Sequence, residues 1–162
     1  SIEHFELVHD EMLDDVGNSF ISSQPNFLQW ALPGGLYENR LGSKWLEENN
    51  PFSEMLRRGL DVAFGSDCMP FGPNYGIYYA ISSPYPRQRI TLEQAIDCYT
   101  VEGAKLLGNP LIGSLEEGHY ADVAIFEESY GRDPKALKDE KPLMTLVGGR
   151  KAYSYPGIGL NL

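Results

Sequence analysis

Short apolar runs punctuated by polar turns, with helix-spaced apolar positions between them, organise the first two thirds of the chain. Leu60-Asp61-Val62-Ala63-Phe64 has the length and the β-branched and aromatic content of a buried strand. Ser1-Ile2-Glu3-His4-Phe5 is a shorter alternation, and Ser19-Phe20-Ile21-Ser22-Ser23 is a third strand candidate. Between these two, Met12, Leu13 and Val16 fall on one face of a helix. Strand, helix and strand in this order predict repeated β/α units and an α/β fold. Thr91 then opens a further helix, because its hydroxyl can cap while Gln94 reaches back in a capping box. Leu92, Ala95, Ile96 and Tyr99 line one face of it, and Gly103 and Gly108 punctuate the short helix that follows.

From Gly113 the periodicity changes. Ala121-Asp122-Val123-Ala124-Ile125-Phe126 reads as a strand. Leu143 to Val147 and Arg150 to Tyr153, joined by Gly148-Gly149, carry the signal of a hairpin with a two-glycine turn. The chain therefore divides into an α/β part, residues 1–108, and a β-rich part, residues 109–162. Glu116-Glu117 and Glu127-Glu128 read as solvated turns. Pro25 to Asn50 exceeds the usual connection length and predicts a lid or an inserted element.

Candidate chemistry sits at the strand ends. In Phe64-Gly65-Ser66-Asp67-Cys68 an acidic side chain follows directly on a buried strand, and carboxyl ends of strands in α/β sheets face the mouth where chemistry is done. Gly65 lets the backbone turn, and Met69-Pro70-Phe71-Gly72-Pro73 can continue neither a helix nor a central strand. Asp67 is the first catalytic candidate, although Asp is also a common cap and turn former. His4 ends the first strand, a place where histidines are often hydrogen-bonded rim residues. Glu3 points to the opposite side of that strand and is expected to pair with a helix. His9 reads as a surface residue at a helix start, and His119 as part of a Glu-Glu-Gly-His turn.

Taken together, Ser-Ile-Glu-His at the start, Ser-Ser-Gln-Pro at 22 to 25, Phe-Gly-Ser-Asp at 64 to 67, Thr-Leu-Glu-Gln-Ala at 91 to 95 and Gly-Ser-Leu-Glu-Glu-Gly-His-Tyr-Ala-Asp-Val at 113 to 123 resemble the carboxyl-terminal part of a metal-dependent amidohydrolase, of the branch called amidohydrolase family 3. The resemblance implies strands six to eight of a TIM-type (β/α)8 barrel, followed by part of a small β-sandwich. It makes His4 the metal-ligand histidine ending strand six. It makes Asp67 the strand-eight aspartate that touches the metal and moves the proton of the attacking water. It also places substrate near Asn26, where relatives often carry a histidine after the proline and this chain does not. Phe71 and Tyr75, among prolines and glycines, are expected in an aromatic substrate wall.

The resemblance further implies a divalent metal, zinc above all, since imidazole nitrogen and carboxylate oxygen suit it. It points to hydrolysis of an amide or another C–N bond in a small-molecule substrate. The His-X-His pair and other ligands of the family are absent from these 162 residues, and a complete barrel takes about 250. A C-terminal fragment, inactive alone, is therefore expected. The rival reading is a non-catalytic binding or oligomerisation module made from half a barrel, with Asp67 as a strand-end cap.

Charge and composition narrow the partners. With 13 basic and 23 acidic residues the net charge is −10, which repels phosphate backbones and argues against nucleic acid. No apolar run approaches the roughly 20 residues of a membrane helix, so no membrane partner is expected. Two cysteines without Cys-X-X-Cys spacing suggest no disulfide scaffold, which makes a reducing, cytoplasmic compartment the expectation. Open edges on a partial barrel predict a homo-oligomer or local cover of those edges.

Overall fold

In the computed structural model, which describes residues 1–127 and 130–157, Ile2, Ile21 and Val62 lie in register across three parallel strands. These are β1 (Ile2–Glu3), β2 (Ile21–Ser23) and β3 (Val62–Phe64), in the order β1-β2-β3. Each is shorter than the apolar run that marks it. Parallel strands need crossovers, and helices supply them. Helix α1 (Asp10–Asp14) joins β1 to β2 and buries Leu13. Between β2 and β3 run a 3₁₀ helix at Pro25–Trp30, α2 (Leu36–Leu41), α3 (Trp45–Glu48) and α4 (Phe52–Arg57). The long segment from Pro25 to Asn50 is thus a chain of short helical elements. Phe52 and Met55 of α4 are fully buried, and the Phe52 ring meets Phe64 edge-on with centroids 4.8 Å apart.

After β3 the chain enters α5 (Pro73–Ser82), with Pro73 in the first turn, where the missing N–H has no helical partner to lose. Helix α6 (Leu92–Tyr99) opens on the expected capping box: the Gln94 N–H donates to the Thr91 hydroxyl at 3.2 Å, and the Thr91 N–H donates to the Gln94 side chain at 3.0 Å. Helix α7 (Val101–Leu106) follows, and Gly108 leaves it at φ +66°. The main apolar cluster unites Leu13, Ile21, Phe52, Met55, Val62, Ile77, Ala95 and Cys98.

The second sheet is antiparallel, β4-β5-β6, built from β4 (Val123–Ile125), β5 (Met144–Val147) and β6 (Arg150–Ser154), with α8 (Pro134–Leu137) between the first two. Gly148 and Gly149 make the hairpin turn at φ +55° and +74°, the left-handed pair that a two-residue hairpin demands. Among the described residues each sheet has three strands and is unclosed. Glu127 is exposed, and its neighbour Glu128 lies outside the described residues. Both cysteines are free, Cys98 buried and Cys68 exposed, and burial pushes the Cys98 thiol up to about 12. No described helix is long and apolar enough to cross a membrane.

Candidate active site at the strand ends

Because β1, β2 and β3 are parallel, their carboxyl ends share one edge of the sheet, and His4, Gln24 and Asp67 all follow those ends. β1 and β3 are two strand spacings apart, about 10 Å. His4 is held by its surroundings on several sides. Its N–H donates to the Ser22 carbonyl at 2.8 Å, and its own carbonyl accepts from the Ser23 hydroxyl at 2.8 Å. The ring stacks on Phe27 with centroids 6.2 Å apart and planes at 15°. Its Nδ1 lies 2.8 Å from the Gln24 Oε1. A carboxamide oxygen can only accept, so Nδ1 carries the proton and Nε2 keeps its lone pair. The side chain is 53% exposed.

Glu6 lies on the same side of the ring, its Oε1 3.9 Å from Nδ1, while its other oxygen accepts from the Tyr37 hydroxyl. Burial, then the Glu6 carboxylate, hold the Tyr37 hydroxyl well above its usual range, so it stays a donor. Neither Gln24 nor Glu6 was singled out from the sequence. Gln24 had one available signal, its place directly after a strand in Ser-Ser-Gln-Pro. Glu3 does not reach a helix: it is exposed, and its carboxylate accepts from the Ser1 hydroxyl at 2.6 Å.

Asp67 is exposed on a tight turn after β3. The Gly65 N–H donates to the Ser23 carbonyl at 2.9 Å, continuing the ladder one residue past the strand. Then Asp67 and Cys68 both take left-handed backbone, at φ 47° and 60°, and the Met69 N–H closes the turn on the Ser66 carbonyl at 3.1 Å. This is the pattern of a type I′ turn, unusual for a cysteine. His4 and Phe5 also take left-handed backbone, at φ 66° and 50°. Non-glycine residues in this region cost roughly 1–3 kcal/mol each and cluster where function holds them. Both candidate residues open such a pair.

Asn26 lies beneath the Asp67 turn, 0% exposed, with its Nδ2 donating to the Ser66 carbonyl at 2.7 Å and the Met69 carbonyl at 2.6 Å. Its two N–H bonds are thereby spent inside the protein, which leaves no donor for a substrate. Phe71 is 85% exposed on the rim of a cleft of about 860 Å³ between the two sheets, with Phe64, Ser66, Tyr99, Phe126 and Tyr130 among its walls. The cleft touches Ser66 but is lined by neither His4 nor Asp67. Tyr75 lies off it: its hydroxyl donates to Gln29 at 3.1 Å and its ring packs on Tyr79 at 5.0 Å. His9 precedes α1 and packs its ring on Trp45 at 5.5 Å. His119 Nδ1 meets the Ser114 hydroxyl at 2.9 Å.

As a metal site the donor set is partial. A neutral imidazole with a free Nε2 and an exposed carboxylate are the right atoms for a divalent ion. Among the described residues, no group of three or more His, Cys, Asp or Glu could hold one.

The chain is similar to known proteins in sequence and in fold. Residues 1–153 match the sequence profile of a family described as the amidohydrolase family. Ochratoxinase from Aspergillus niger is 32% identical over 107 residues, 64% of this chain. The chain spans about a fifth of that relative, 22% of its length. The ochratoxinase crystal structure superposes on 97% of this chain and 37% of its own, with a TM-score of 0.70 at 24% identity, a likeness of fold. An uncharacterized metal-dependent hydrolase from Pyrococcus furiosus is 27% identical, with a TM-score of 0.64 over 74% of this chain and 26% of that one. Atrazine chlorohydrolase from Arthrobacter aurescens, solved with zinc and atraton, shares the fold with a TM-score of 0.61 at 19% identity, over 94% of this chain and 35% of that one.

Proposed function

The chain belongs to the amidohydrolase family, and from that premise we propose that it supplies one side of the active site of a metal-dependent hydrolase acting on an amide or another C–N bond. In this reading β1, β2 and β3 are barrel strands six, seven and eight, and the antiparallel sheet is part of a small sandwich. His4 and Asp67 are two of the metal ligands, and the remaining ligands come from residues outside this sequence. One observation carries the reading: two side chains suited to a divalent ion follow the carboxyl ends of strands in one parallel sheet, each opening a left-handed pair that its neighbours hold.

When bound, a divalent ion such as zinc lowers the pKa of water towards 7 and polarises a carbonyl. The residues of this chain do the rest of what is proposed. Gln24 fixes the His4 tautomer and turns Nε2 outward, the usual task of a hydrogen-bond partner behind a ligating histidine. Asp67 accepts a proton from water and returns it to the leaving nitrogen, as a positioned general base and acid. Phe71, on the cleft rim, offers an apolar face to a small-molecule substrate. Alone, two ligands bind zinc weakly, because zinc sites use three or four.

The test is Asp67→Asn in the full-length protein, assayed on the best substrate from a panel of N-acyl amino acids and anilides. Asparagine tolerates the left-handed backbone and keeps the shape, but it is no base. Turnover should fall by about 10² to 10⁴, with the melting temperature nearly unchanged because the carboxylate is exposed. Normal turnover would favour the non-catalytic module instead.

A further inference from the structure

The turn that carries Asp67 is an improbable one for its sequence. Both central residues are left-handed, and while Asp67 is of a type that tolerates this backbone, Cys68 is not. Such a turn persists only where its surroundings over-determine it. Within the turn itself, one backbone bond closes it, Met69 N–H to the Ser66 carbonyl. The Cys68 N–H reaches the Ser66 hydroxyl at only 3.4 Å.

What remains comes from the 3₁₀ helix that follows β2. Asn26 is fully buried there and puts both its amide hydrogens on the turn, one on the carbonyl before Asp67 and one on the carbonyl after Cys68. It holds the two ends of the turn at a fixed separation. Gln29, one 3₁₀ turn later, adds a longer bond of 3.2 Å to the Met69 carbonyl. The cost of this arrangement is visible, since the Asn26 Oδ1 is buried without a partner. A side chain kept in place with an unsatisfied acceptor is not there for its own sake; both of its donors serve the turn. Pro25 and Phe27 on either side of it are buried as well, so the clamp sits on a rigid base.

We propose that Asn26 is a positioning residue that sets the direction of the Asp67 carboxylate by clamping both ends of its turn, a role that rests on the reading of Asp67 as the proton carrier. The effect is on geometry. A displacement of about 1 Å in a catalytic group can cost 10²-fold in rate.

The experiment uses the full-length protein with Asn26→Leu, which keeps the branched shape and removes both donors, and Gln29→Ala, a milder change at a partly exposed position that tests the same turn if the buried variant folds poorly. Hydrogen exchange of peptides covering 65–72 reads the clamp without any assay of activity. Asn26→Leu should speed exchange there at least tenfold and Gln29→Ala by less, with peptides covering 60–64 unchanged. Turnover of the best substrate should fall about 10²-fold in Asn26→Leu, and the double variant with Asp67→Asn should lose no more than Asp67→Asn alone, the mark of two residues acting as one unit. Unchanged exchange at 65–72 overturns the clamp. Faster exchange with wild-type turnover, while Asp67→Asn is impaired, overturns the positioning role and leaves the catalytic reading standing. Wild-type turnover in Asp67→Asn removes the catalytic reading itself, and the positioning role with it.

Discussion

In the parallel sheet Ile21 and Val62 are 0% exposed and Ala63 2%, whereas in the antiparallel sheet every residue from Arg150 to Tyr153 is exposed and Met144 is the residue that is fully buried. Connectivity explains the contrast. A parallel pair cannot be joined without a crossover, and the crossovers bring Leu13 of α1 and Phe52 of α4 into one apolar cluster with Ile21 and Val62. A hairpin needs two glycines, and nothing in that connection brings cover with it. The lesson is that the two regions have different work: the first is a scaffold that can hold strained turns at its edge, and the second presents apolar surface, Val147, Tyr153 and Tyr155 among it. In the proposed whole enzyme that surface meets the rest of the sandwich.

The largest effect expected within this comparison is Phe52→Ala. Phe52 is 0% exposed between α4 and β3, so its truncation should cost about 3–5 kcal/mol. Tyr153→Ala in β6 should change stability by no more than about 0.5 kcal/mol. Urea unfolding of both variants measures the difference, and similar losses would break the contrast between the regions.

Two glycines of the first region sharpen it further. A Cβ on Gly76 in α5 would stand 2.0 Å from the Tyr99 hydroxyl and 3.0 Å from Pro25, so Gly76→Ala should cost about 1–3 kcal/mol through overpacking. Gly103 in α7 has nothing within 4 Å of such a Cβ, and Gly103→Ala should stabilise by about 0.4–1 kcal/mol. Opposite signs in thermal unfolding are the expected outcome. A loss at both positions would show that α7 is packed more tightly than this.

The smallest effect concerns pH. Hydrogen bonds from Arg57, then Arg58, hold the Glu54 carboxyl down at about 2 from an ordinary 4.5, and Arg58 goes on to bridge α4 to Asp14 and to the Asp10 carbonyl in α1. A depressed folded-state pKa means that the stabilisation is fully present above about 4.5 and is lost as pH falls towards 2. The urea midpoint should drop between pH 5 and pH 3, and Glu54→Gln should shrink that drop. The change is modest because the network is largely at the surface.

Much of the first region is legible in the sequence because its signals are local. β-branched runs mark the three parallel strands, Thr91 and Gln94 mark a helix start three residues apart, and two adjacent glycines mark the hairpin turn. The segment from Pro25 to Asn50 is not legible in the same way. Its helices have four to six residues, too few for a 3.6-residue period to repeat, and so it reads as a loop. Glu3 misleads for a related reason: alternation tells which side of a strand a residue faces, not whether anything covers that side.

The sequence alone determined an α/β part followed by a β-rich part, the placing of His4 and Asp67 at strand ends, and the likeness to amidohydrolases. Tertiary structure decided what surrounds those two residues. Gln24 reaches His4 across 20 positions, and Asn26 reaches the carbonyls of Ser66 and Met69 across 40 and 43. Neither bond leaves a periodic trace, since each depends on β2 lying between β1 and β3, and that order is a property of the packed sheet rather than of any one stretch of chain. The left-handed backbone at Cys68 has the same origin: its own preference does not call for it, and a buried amide from another element holds the turn in place.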